Sequence, residues 1–383
     1  MQPVSWLNRL DVRLTYGVTG NAPRVGTASS QDILSAQNNA NYVTGAGFIL
    51  ASPANAKLTW EGTKVYNAGI DFEILKNRLG GSIDGYIKKT KDLIGDLATS
   101  PFTGYASVTG NYGDLDNKGI DIGFNSTNII ARDFSWSTGL TFSYNKNKLT
   151  KLELNPSATG DDMISRTTYV GLPLGALYAY NYAGLNSVGD PQVRLADGTV
   201  TSEINVTKPE DMIYMGTNQP VWSGGLNNTF TYKSFSLSAN IIYNGGNRTT
   251  NNDRPITLSQ IVGFNDYQLG FLNRWKIPGD ENRTDIPRYV ASEDLAGARN
   301  IGYYGVSSRY YLNGAYAKLR DITLSYNVPQ FMASKINAQA ISFRVQVNNL
   351  LLWTANKQGM DPEFVGDTRS AQGTVSLGAH ITF

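Results

Sequence analysis

The last ten residues, TVSLGAHITF (374–383), decide the fold class, because apolar residues alternate in them with small or polar ones without a break. In an extended chain, successive side chains point to opposite faces, so this pattern places five apolar residues on one face. Those five residues are Val375, Leu377, Ala379, Ile381 and Phe383. The pattern predicts a β-strand with one apolar face and one polar face.

Three further segments, 134–146, 234–244 and 340–350, show the same alternation. These segments run about 10 to 13 residues, whereas strands of soluble sheets usually have about 5 to 6. A tilted strand needs about 9 to 11 residues to cross a bilayer. The polar faces carry mainly Ser, Thr, Gly and Asn rather than the Lys and Glu typical of a soluble sandwich. The sequence therefore predicts an all-β protein, a transmembrane antiparallel up-and-down β-barrel.

The predicted strands are separated by connections that alternate strictly between short and long. Outer-membrane barrels have this alternation, because their periplasmic turns are short and their extracellular loops are long. If the C-terminus lies in the periplasm, every long connection is extracellular. The strands, about 12 in number, are predicted near 7–18, 65–76, 79–90, 117–127, 134–146, 163–170, 176–186, 225–232, 234–244, 314–328, 340–350 and 374–383. The alternation of side chains is poorest in 163–170 and 176–186.

The composition excludes several classes of function. The chain has 383 residues, and 33 Lys and Arg against 31 Asp and Glu leave too little positive charge for a nucleic-acid binder. Cys is absent and His380 is the single histidine, so disulfides, thiolate metal sites and histidine-rich metal sites are excluded. We predict no catalytic residue, no cofactor and no metal site. His380 is interpreted as a residue of the barrel's inner wall.

Two acidic stretches are candidate calcium ligands: Gly113 to Asp116, and the group Asp280, Glu281 and Asp285. Both lack the regular ligand spacing and the sixth-position glycine of a calcium loop. Calcium therefore remains an alternative only as a site built from scattered ligands.

Eight segments are spread over the whole chain: RLTYGVTGN (13–21), LTWEGTKVYNAGIDF (58–72), GDLDNKGIDIGFN (113–125), FSWSTGLTFSYNKNKLTKL (134–152), GLPLGALYAYNYAGLNSVGDPQV (171–193), GAYAKLRDITLSYNVP (314–329), FRVQVNNLLLWTANKQGMDPE (343–363) and the terminal SLGAHITF. Together they resemble the C-terminal barrel portion of the SusC/RagA family of TonB-dependent outer-membrane transporters, which is typical of Bacteroidota.

The resemblance implies a larger barrel of about 22 strands with an N-terminal plug domain. Residues 1–383 would then be its C-terminal part, and we expect a fragment, because the plug and the N-terminal strands have no match in this sequence. An alternative is a self-closed 12-strand pore, in which 7–18 would pair with 374–383. A sheet with two open edges is not viable in lipid, so one of these arrangements is required.

The resemblance also implies a function and partners. It implies a multi-pass protein of the cell outer membrane, not an enzyme, that imports oligosaccharides or oligopeptides. Its partners would be a SusD-like surface lipoprotein, TonB with ExbB and ExbD through the missing plug region, outer-membrane lipid, and a glycan or peptide substrate. The rival interpretation is a secreted carbohydrate-binding or glycosidase β protein, for which loops rich in Tyr and carboxylates would also serve.

The long connection 245–313 is the candidate ligand-binding loop. Its aromatic and charged residues suit a ligand that stacks on rings and accepts hydrogen bonds, and we predict ligand contacts at Trp275, Tyr303, Tyr304 and Arg309. The alternative is that these four residues only pack against neighbouring loops.

The C-terminal residues are predicted to carry a membrane-assembly signal. An aromatic C-terminus on an alternating last strand resembles the signal read by the barrel-insertion machinery, so we assign this role to Phe383, with Ile381 and Leu377. The alternative is that Phe383 merely ends a lipid-facing row. At the other end of the strands, Trp60 and Glu61 are interpreted as structural, the first as an interfacial aromatic and the second as a hydrogen-bonding anchor.

Overall fold

The computed structural model describes residues 6–23, 31–37, 47–103, 107–153, 157–203, 207–251, 272–289, 302–364 and 370–383. The described residues form two compact units. The first lies within Met1–Asn125, Ser143–Pro156 and Thr168–Leu174, and the second within Ser126–Phe142, Ser157–Thr167 and Gly175–Phe383. In the described part of the chain, no helix combines the length and the apolar character that crossing a membrane requires.

The described residues are mostly in strands. In chain order the strands are β1 (Leu7–Asn21), β2 (Ile33–Gln37), β3 (Gly47–Ser52), β4 (Glu61–Ile74), β5 (Leu79–Ala98), β6 (Ser107–Ile130), β7 (Phe134–Leu152), β8 (Ala176–Tyr180), β9 (Tyr182–Leu185), β10 (Pro191–Arg194), β11 (Val200–Thr201), β12 (Met212–Thr217), β13 (Trp222–Tyr232), β14 (Phe235–Gly245), β15 (Arg248–Thr250), β16 (Tyr311–Asn313), β17 (Tyr316–Asn327), β18 (Ala340–Thr354) and β19 (Thr374–Thr382). Two short α-helices are α1 (Gly160–Ser165) and α2 (Gln330–Ala333).

Ten long strands form the principal sheet, in the order β1-β4-β5-β6-β7-β13-β14-β17-β18-β19. Its registers are antiparallel, with Tyr16 opposite Tyr66 in β1–β4 and Phe230 opposite Leu237 in β13–β14. The up-and-down order confirms the predicted fold class. β1 and β19 stand at the two ends of this order, so it does not contain the pairing of 7–18 with 374–383 that a self-closed 12-strand pore requires.

The apolar face of the sheet is exposed. Leu14 in β1 is 80% exposed, and Leu237 is 41% exposed although β14 has a neighbour on each side. Phe235 and Phe343, on the same face, are exposed as well. An apolar surface of this extent is unfavourable in water, and hydrocarbon is the environment that it suits. We call this face outward and the opposite face inward.

The inward face is polar and internally hydrogen-bonded. The side-chain amide of Asn240 donates to Asp321 across β14–β17 at 3.3 Å, and the Ser143 hydroxyl donates to Asp121 across β6–β7 at 2.5 Å. Arg13 of β1 bridges two carboxylates from the next strands, Asp71 and Asp84. Each of these polar side chains therefore finds its hydrogen-bond acceptor or opposite charge within the sheet itself, without burial in a protein core.

Two of the predicted strands are wrong. Residues 163–170 contain the end of α1 instead of a strand. The helix begins at a capping box in which Thr159 Oγ1 accepts a hydrogen bond from Asp162 N and the Asp162 carboxylate accepts one from Thr159 N, both at 3.1 Å.

The second wrong strand is 176–186, which splits into β8 and β9. Neither belongs to the principal sheet: β8 pairs with β12, and β9 pairs with β10. Both corrected segments lie inside the single long connection 153–221. The alternation of short and long connections therefore survives the correction, because removing two consecutive strands leaves the order unchanged.

Several strands extend beyond their predicted ends, notably β5 to Ala98 and β6 over Ser107–Ile130. The prediction ended each strand where apolar residues stop alternating with polar ones. That pattern reports contact with lipid, whereas the hydrogen bonds of the ladder continue into water.

Candidate ligand-binding loops

The two longest connections, 153–221 and 246–315, form small sheets of their own. β8 pairs with β12, β9 to β11 form a three-stranded sheet, and β15 pairs with β16. These connections follow β7 and β14, at the end of the sheet opposite the C-terminus, which is the extracellular end in outer-membrane barrels. Residues 252–271 and 290–301 of the predicted loop lie outside the described residues.

A buried cluster holds the two connections together, and we call it the loop core. It consists of Tyr180, Val193 and Met212 from the first connection and Tyr303 from the second. The Tyr180 hydroxyl donates to Asp161 Oδ1 at 2.6 Å, and the Tyr303 hydroxyl donates to the Pro191 carbonyl oxygen. The pKa of Tyr180 is raised to about 12, mainly by burial and secondly by the hydrogen bond to Asp161. The phenol is therefore a neutral hydrogen-bond donor at physiological pH.

Arg309 lies beside the loop core, in contact with two tyrosine rings. Its guanidinium carbon is 5.6 Å from the ring centre of Tyr304 and 5.2 Å from that of Tyr310. Its Nη2 donates to Asp285 Oδ1 at 2.6 Å, and its Nε also bonds this carboxylate. Burial alone would lower the pKa of Arg309, but the hydrogen bonds to Asp285 outweigh burial and raise the pKa above its ordinary value. This charge is thus already neutralised within the protein.

Trp275 anchors the segment 272–289. Its indole N–H donates to Glu281 Oε2 at 3.0 Å, and its backbone N–H donates to the Ile286 carbonyl at 2.9 Å. Gly189 faces the indole so closely that a Cβ at this position would lie 2.5 Å from the ring, and its φ of +78° also favours glycine. The segment is therefore fixed against the first connection.

The predicted ligand contacts come together only in part. Tyr304 and Arg309 touch, Tyr303 lies in the adjoining loop core, and Trp275 lies in segment 272–289. Tyr303 is 2% exposed and Tyr304 is 4% exposed. Burial and internal hydrogen bonds give these two tyrosines a packing role, while a ligand contact by any of the four residues stays a prediction.

A surface concavity of about 710 Å³ lies in the segment 272–286. Its charged lining residues are Arg274, Lys276, Asp280, Arg283 and Asp285. The two carboxylates are already engaged, since Asp280 accepts hydrogen bonds from the backbone N–H groups of Lys276 and Ile277 and Asp285 binds Arg309. The three cations outnumber the two carboxylates, so the lining carries a positive excess. The sequence prediction did not include this surface, although the stretch NRWKIPGDENR (273–283) holds three cations around the predicted Trp275.

The three acidic residues of the second candidate calcium group have other partners. Asp280 caps a turn, Glu281 accepts from Trp275 and from Gly279 N, and Asp285 pairs with Arg309. Within the described ranges, no group of three or more His, Cys, Asp or Glu side chains is arranged to hold a metal ion.

The C-terminal strand places Leu377, Ile381 and Phe383 on the outward face, where all three are exposed. His380 lies on the inward face, and its Nε2 is 3.2 Å from Thr382 Oγ1. At the extracellular end, Glu61 is confirmed as an anchor: it accepts hydrogen bonds from Asn21 Nδ2 at 2.9 Å and from Ile94 N at 2.8 Å. Trp60 beside it is exposed.

A second buried contact ties the connection between β18 and β19 to the principal sheet. The Lys318 side chain in β17 is 4% exposed, and its ammonium bonds Asp361 Oδ2 at 2.9 Å and the Glu363 carboxylate. The Tyr316 hydroxyl donates to Glu363 Oε1 at 2.8 Å. Burial would raise the pKa of Glu363, but the hydrogen bonds from Lys318 and Tyr316 outweigh it and lower that pKa. We call this group the carboxylate latch.

Long antiparallel strands with an exposed apolar face, and large folded loops at one end, define the wall of a transmembrane β-barrel. The family described as "TonB dependent receptor-like, beta-barrel" matches residues 4–207. The chain belongs to this family of outer-membrane β-barrels.

Relatives agree with this assignment. TonB-dependent receptor P3 of Formosa agariphila is 31% identical over 382 residues, covering 92% of this chain and 35% of that protein. TonB-dependent receptor SusC of Bacteroides thetaiotaomicron is 28% identical over 309 residues, covering 71% of this chain and 31% of SusC. The chain thus spans about a third of the length of these curated relatives. The structure of the RagAB peptide transporter has the same fold, with a TM-score of 0.80 at 23% identity over all of this chain and 42% of that one.

Proposed function

We propose that this chain supplies barrel wall and extracellular loops to a TonB-dependent importer of oligosaccharides or oligopeptides. The observation that carries the proposal is the combination of an outward apolar face with two long connections that share a buried core. Such loops offer a rigid polar surface above a membrane, and long loops in compact proteins are usually functional. The barrel wall itself does no covalent chemistry in this proposal.

The proposed ligand surface is the positive concavity of segment 272–286, next to Trp275 and Arg309. Support comes from its position on a segment that Trp275 fixes against Gly189 of the first connection, and from its exposed cations Lys276 and Arg283. The alternative substrate classes are both retained: the RagAB transporter is described as carrying peptides, whereas the aromatic and polar residues of the loops suit sugars equally well.

The proposed partners are a SusD-like surface lipoprotein over the loops and TonB with ExbB and ExbD, acting through the plug region of the whole transporter. Support comes from membership of the TonB-dependent receptor family and from the resemblance to SusC/RagA proteins. Removal of TonB should then abolish uptake while leaving the protein in the outer membrane.

The test is uptake by cells that carry the whole transporter. A deletion strain should fail to take up one class among a panel of labelled glycans and peptides, and the wild-type gene should restore uptake. The double variant K276A/R283A should lower ligand affinity at unchanged surface level, whereas K335A, at the opposite end of the sheet, should not. Glycan hydrolysis by the purified protein, soluble without detergent, would replace this proposal by the glycosidase interpretation.

We further propose that Phe383, with Ile381 and Leu377, carries the assembly signal, as their exposed outward position supports. Deleting Phe383 from the whole transporter should lower the amount of heat-modifiable protein in the outer membrane. T382V, which replaces the inward-facing Thr382 hydroxyl with a methyl group, is the matched control. Equal assembly of both variants and the wild type would refute the signal.

A further inference from the structure

The outward face of β4 to β7 carries a band of lysines near its extracellular end. We call this band the lysine belt. Its members are Lys64, Lys89, Lys91, Lys118, Lys146 and Lys148, and all six are exposed.

The direction of the lysine side chains follows from the contacts of the residues that alternate with them along each strand. On the inward face, the Tyr86 hydroxyl contacts Asn145 at 3.3 Å, and Asn147 accepts a hydrogen bond from Leu174 N at 2.7 Å. Gly119 lies beneath the Tyr86 ring. Since successive strand residues point to opposite faces, the lysines that alternate with these positions point outward.

The belt has unbalanced charge. In the residues that the structure describes, none of the six ammonium groups lies within 4.0 Å of a carboxylate. Lys64 and Lys89 are directly opposite in the β4–β5 register, and like charges in this arrangement destabilise a sheet. Two carboxylates, Asp114 and Asp116, share the outward face, so the belt keeps a positive excess. Such an arrangement favours an anion from outside the protein.

The belt lies at the top of the membrane-spanning part. Beneath the Lys64–Lys89 pair, the outward positions of β4 and β5 are apolar from Tyr66 to Ile74 and from Ile87 to Leu79. Each run covers about nine residues, which is the length of one tilted crossing of the bilayer. The ammonium groups therefore lie at the level of the lipid headgroups in the outer leaflet.

An apolar groove lies directly below the belt. Its volume is about 620 Å³, and its outward lining residues are Leu14, Tyr16, Tyr66, Ala68, Gly85 and Ile87. Ala68 and Gly85 are opposite each other in the register and form its floor, because neither has a large side chain. Thr15, Asn67, Tyr86 and Gly119, which alternate with these residues, complete the lining.

We propose that the lysine belt and this groove bind a phosphorylated glycolipid of the outer leaflet. The phosphates would pair with Lys64, Lys89 and their neighbours, and one acyl chain would fill the groove over Gly85. Cations immediately above an apolar surface match a molecule that has an anionic head directly joined to hydrocarbon. This site is independent of the ligand surface in the loops and does not require the import function.

The test is lipid binding by the whole transporter, purified in nonionic detergent and titrated with phosphorylated lipid A or with its dephosphorylated form. Native mass spectrometry gives the occupancy of each. We expect the phosphorylated form to bind more tightly to the wild type. K64Q/K89Q should weaken its binding by roughly fivefold for each lysine removed, and added salt should reduce the difference. Adding K146Q/K148Q to this double variant should weaken binding of the phosphorylated lipid further.

Two further variants separate the two parts of the site and control for net charge. K76Q/K335Q removes two lysines at the opposite end of the sheet and should bind as the wild type does. G85L should weaken both forms of the lipid, and it should fold, because only the Ala68 carbonyl lies near the position of a new Cβ, at 4.0 Å. Heat-modifiable migration confirms that each variant is folded.

Two results would overturn the proposal. One is unchanged preference for the phosphorylated lipid in K64Q/K89Q/K146Q/K148Q. The other is that a soluble acidic polysaccharide binds the lysine belt as tightly as the phosphorylated lipid does. That result would identify a glycan rather than a membrane lipid as the ligand of the belt.

Discussion

Arg309 shows how a residue chosen for ligand binding can be used for packing. Its guanidinium contacts Tyr304 and Tyr310 and binds Asp285 through two nitrogens. We expect R309A to lower the local stability of the loop core, because it removes these contacts. The loss should be only about 1–2 kcal/mol, since the pair is partly buried and solvent screens it. Hydrogen exchange of residues 302–313 in the whole protein measures this change.

Two variants make that measurement specific. R309K keeps the charge but loses the two-nitrogen contact, so it should exchange at an intermediate rate. R194A removes an exposed arginine whose side chain donates to the Gly198 carbonyl oxygen, and it should leave exchange unchanged. Equal exchange in R309A and the wild type would contradict the packing role.

Gly119 illustrates a second requirement on single residues. The Tyr86 ring covers it on the inward face, and a Cβ would meet both that ring and the Tyr144 carbonyl oxygen. We expect G119V to lower the yield of assembled barrel, because the ring and the backbone of β7 would both have to move. Outer-membrane protein level after heat-modifiable electrophoresis is the measurement. G62V is the control, since no atom lies within 4 Å of its Cβ position.

At the scale of elements, the carboxylate latch predicts a dependence on pH. The pKa of Glu363 is lower in the folded protein than its ordinary value of 4.5. Stability from a carboxylate with a lowered pKa is present above the unfolded value and is lost as pH falls through the folded one. Segment 355–364 should therefore stay protected at neutral pH and become accessible to an acid-tolerant protease as pH falls below 4.5.

The same latch can be opened without acid. E363Q imitates the protonated side chain, so it should expose segment 355–364 to protease at neutral pH. E203Q, in an exposed part of the first long connection, is the control. Protection of the segment in E363Q that equals the wild type would show that Asp361 and Lys318 hold it without Glu363.

The strands were largely predictable, and the exceptions have a physical reason. Side-chain alternation located all ten strands of the principal sheet, because each has one face in lipid and therefore a strict period of two. Segments 163–170 and 176–186 carry no such constraint, since they belong to loops with their own small core. The T-x-x-D capping box at Thr159, directly before 163–170, is a local helix signal that contradicts a strand there.

At the scale of the whole molecule, the two faces of the sheet should respond differently to the same charge. Leu237 points outward and Ser238 points inward, and they are adjacent in β14. We expect L237R to destabilise the barrel by about 2–4 kcal/mol if it lies near the bilayer centre. S238R should cost much less, because water and polar side chains surround it.

Folding into lipid vesicles under increasing urea measures both variants of the whole transporter. Equal destabilisation by L237R and S238R would contradict the assignment of the two faces. A larger effect for S238R would reverse it.

The ligand-binding surface was much less predictable than the wall. Tyr303 and Tyr304 are aromatic loop residues, yet Tyr303 is buried by contacts with β8 and β10, more than 100 positions earlier in the chain, and Tyr304 packs against Tyr182 of β9. Lys276 and Arg283 were overlooked because charge in a loop is common. Both side chains are exposed, but the balancing of the neighbouring Asp285 charge by Arg309, 24 positions later, is a distant contact that no local pattern shows.

The shared interior of the two longest connections restricts how the loops of this protein can change. Tyr303 from one connection is enclosed by Tyr180 and Val193 from the other, so neither segment could be exchanged for a relative's without leaving a gap or a clash. Recombination that transplants one of them alone should yield misassembled receptors. Under the proposed import function, a new ligand would then be acquired by inheriting both segments together, or by point changes confined to the solvent side of this paired scaffold.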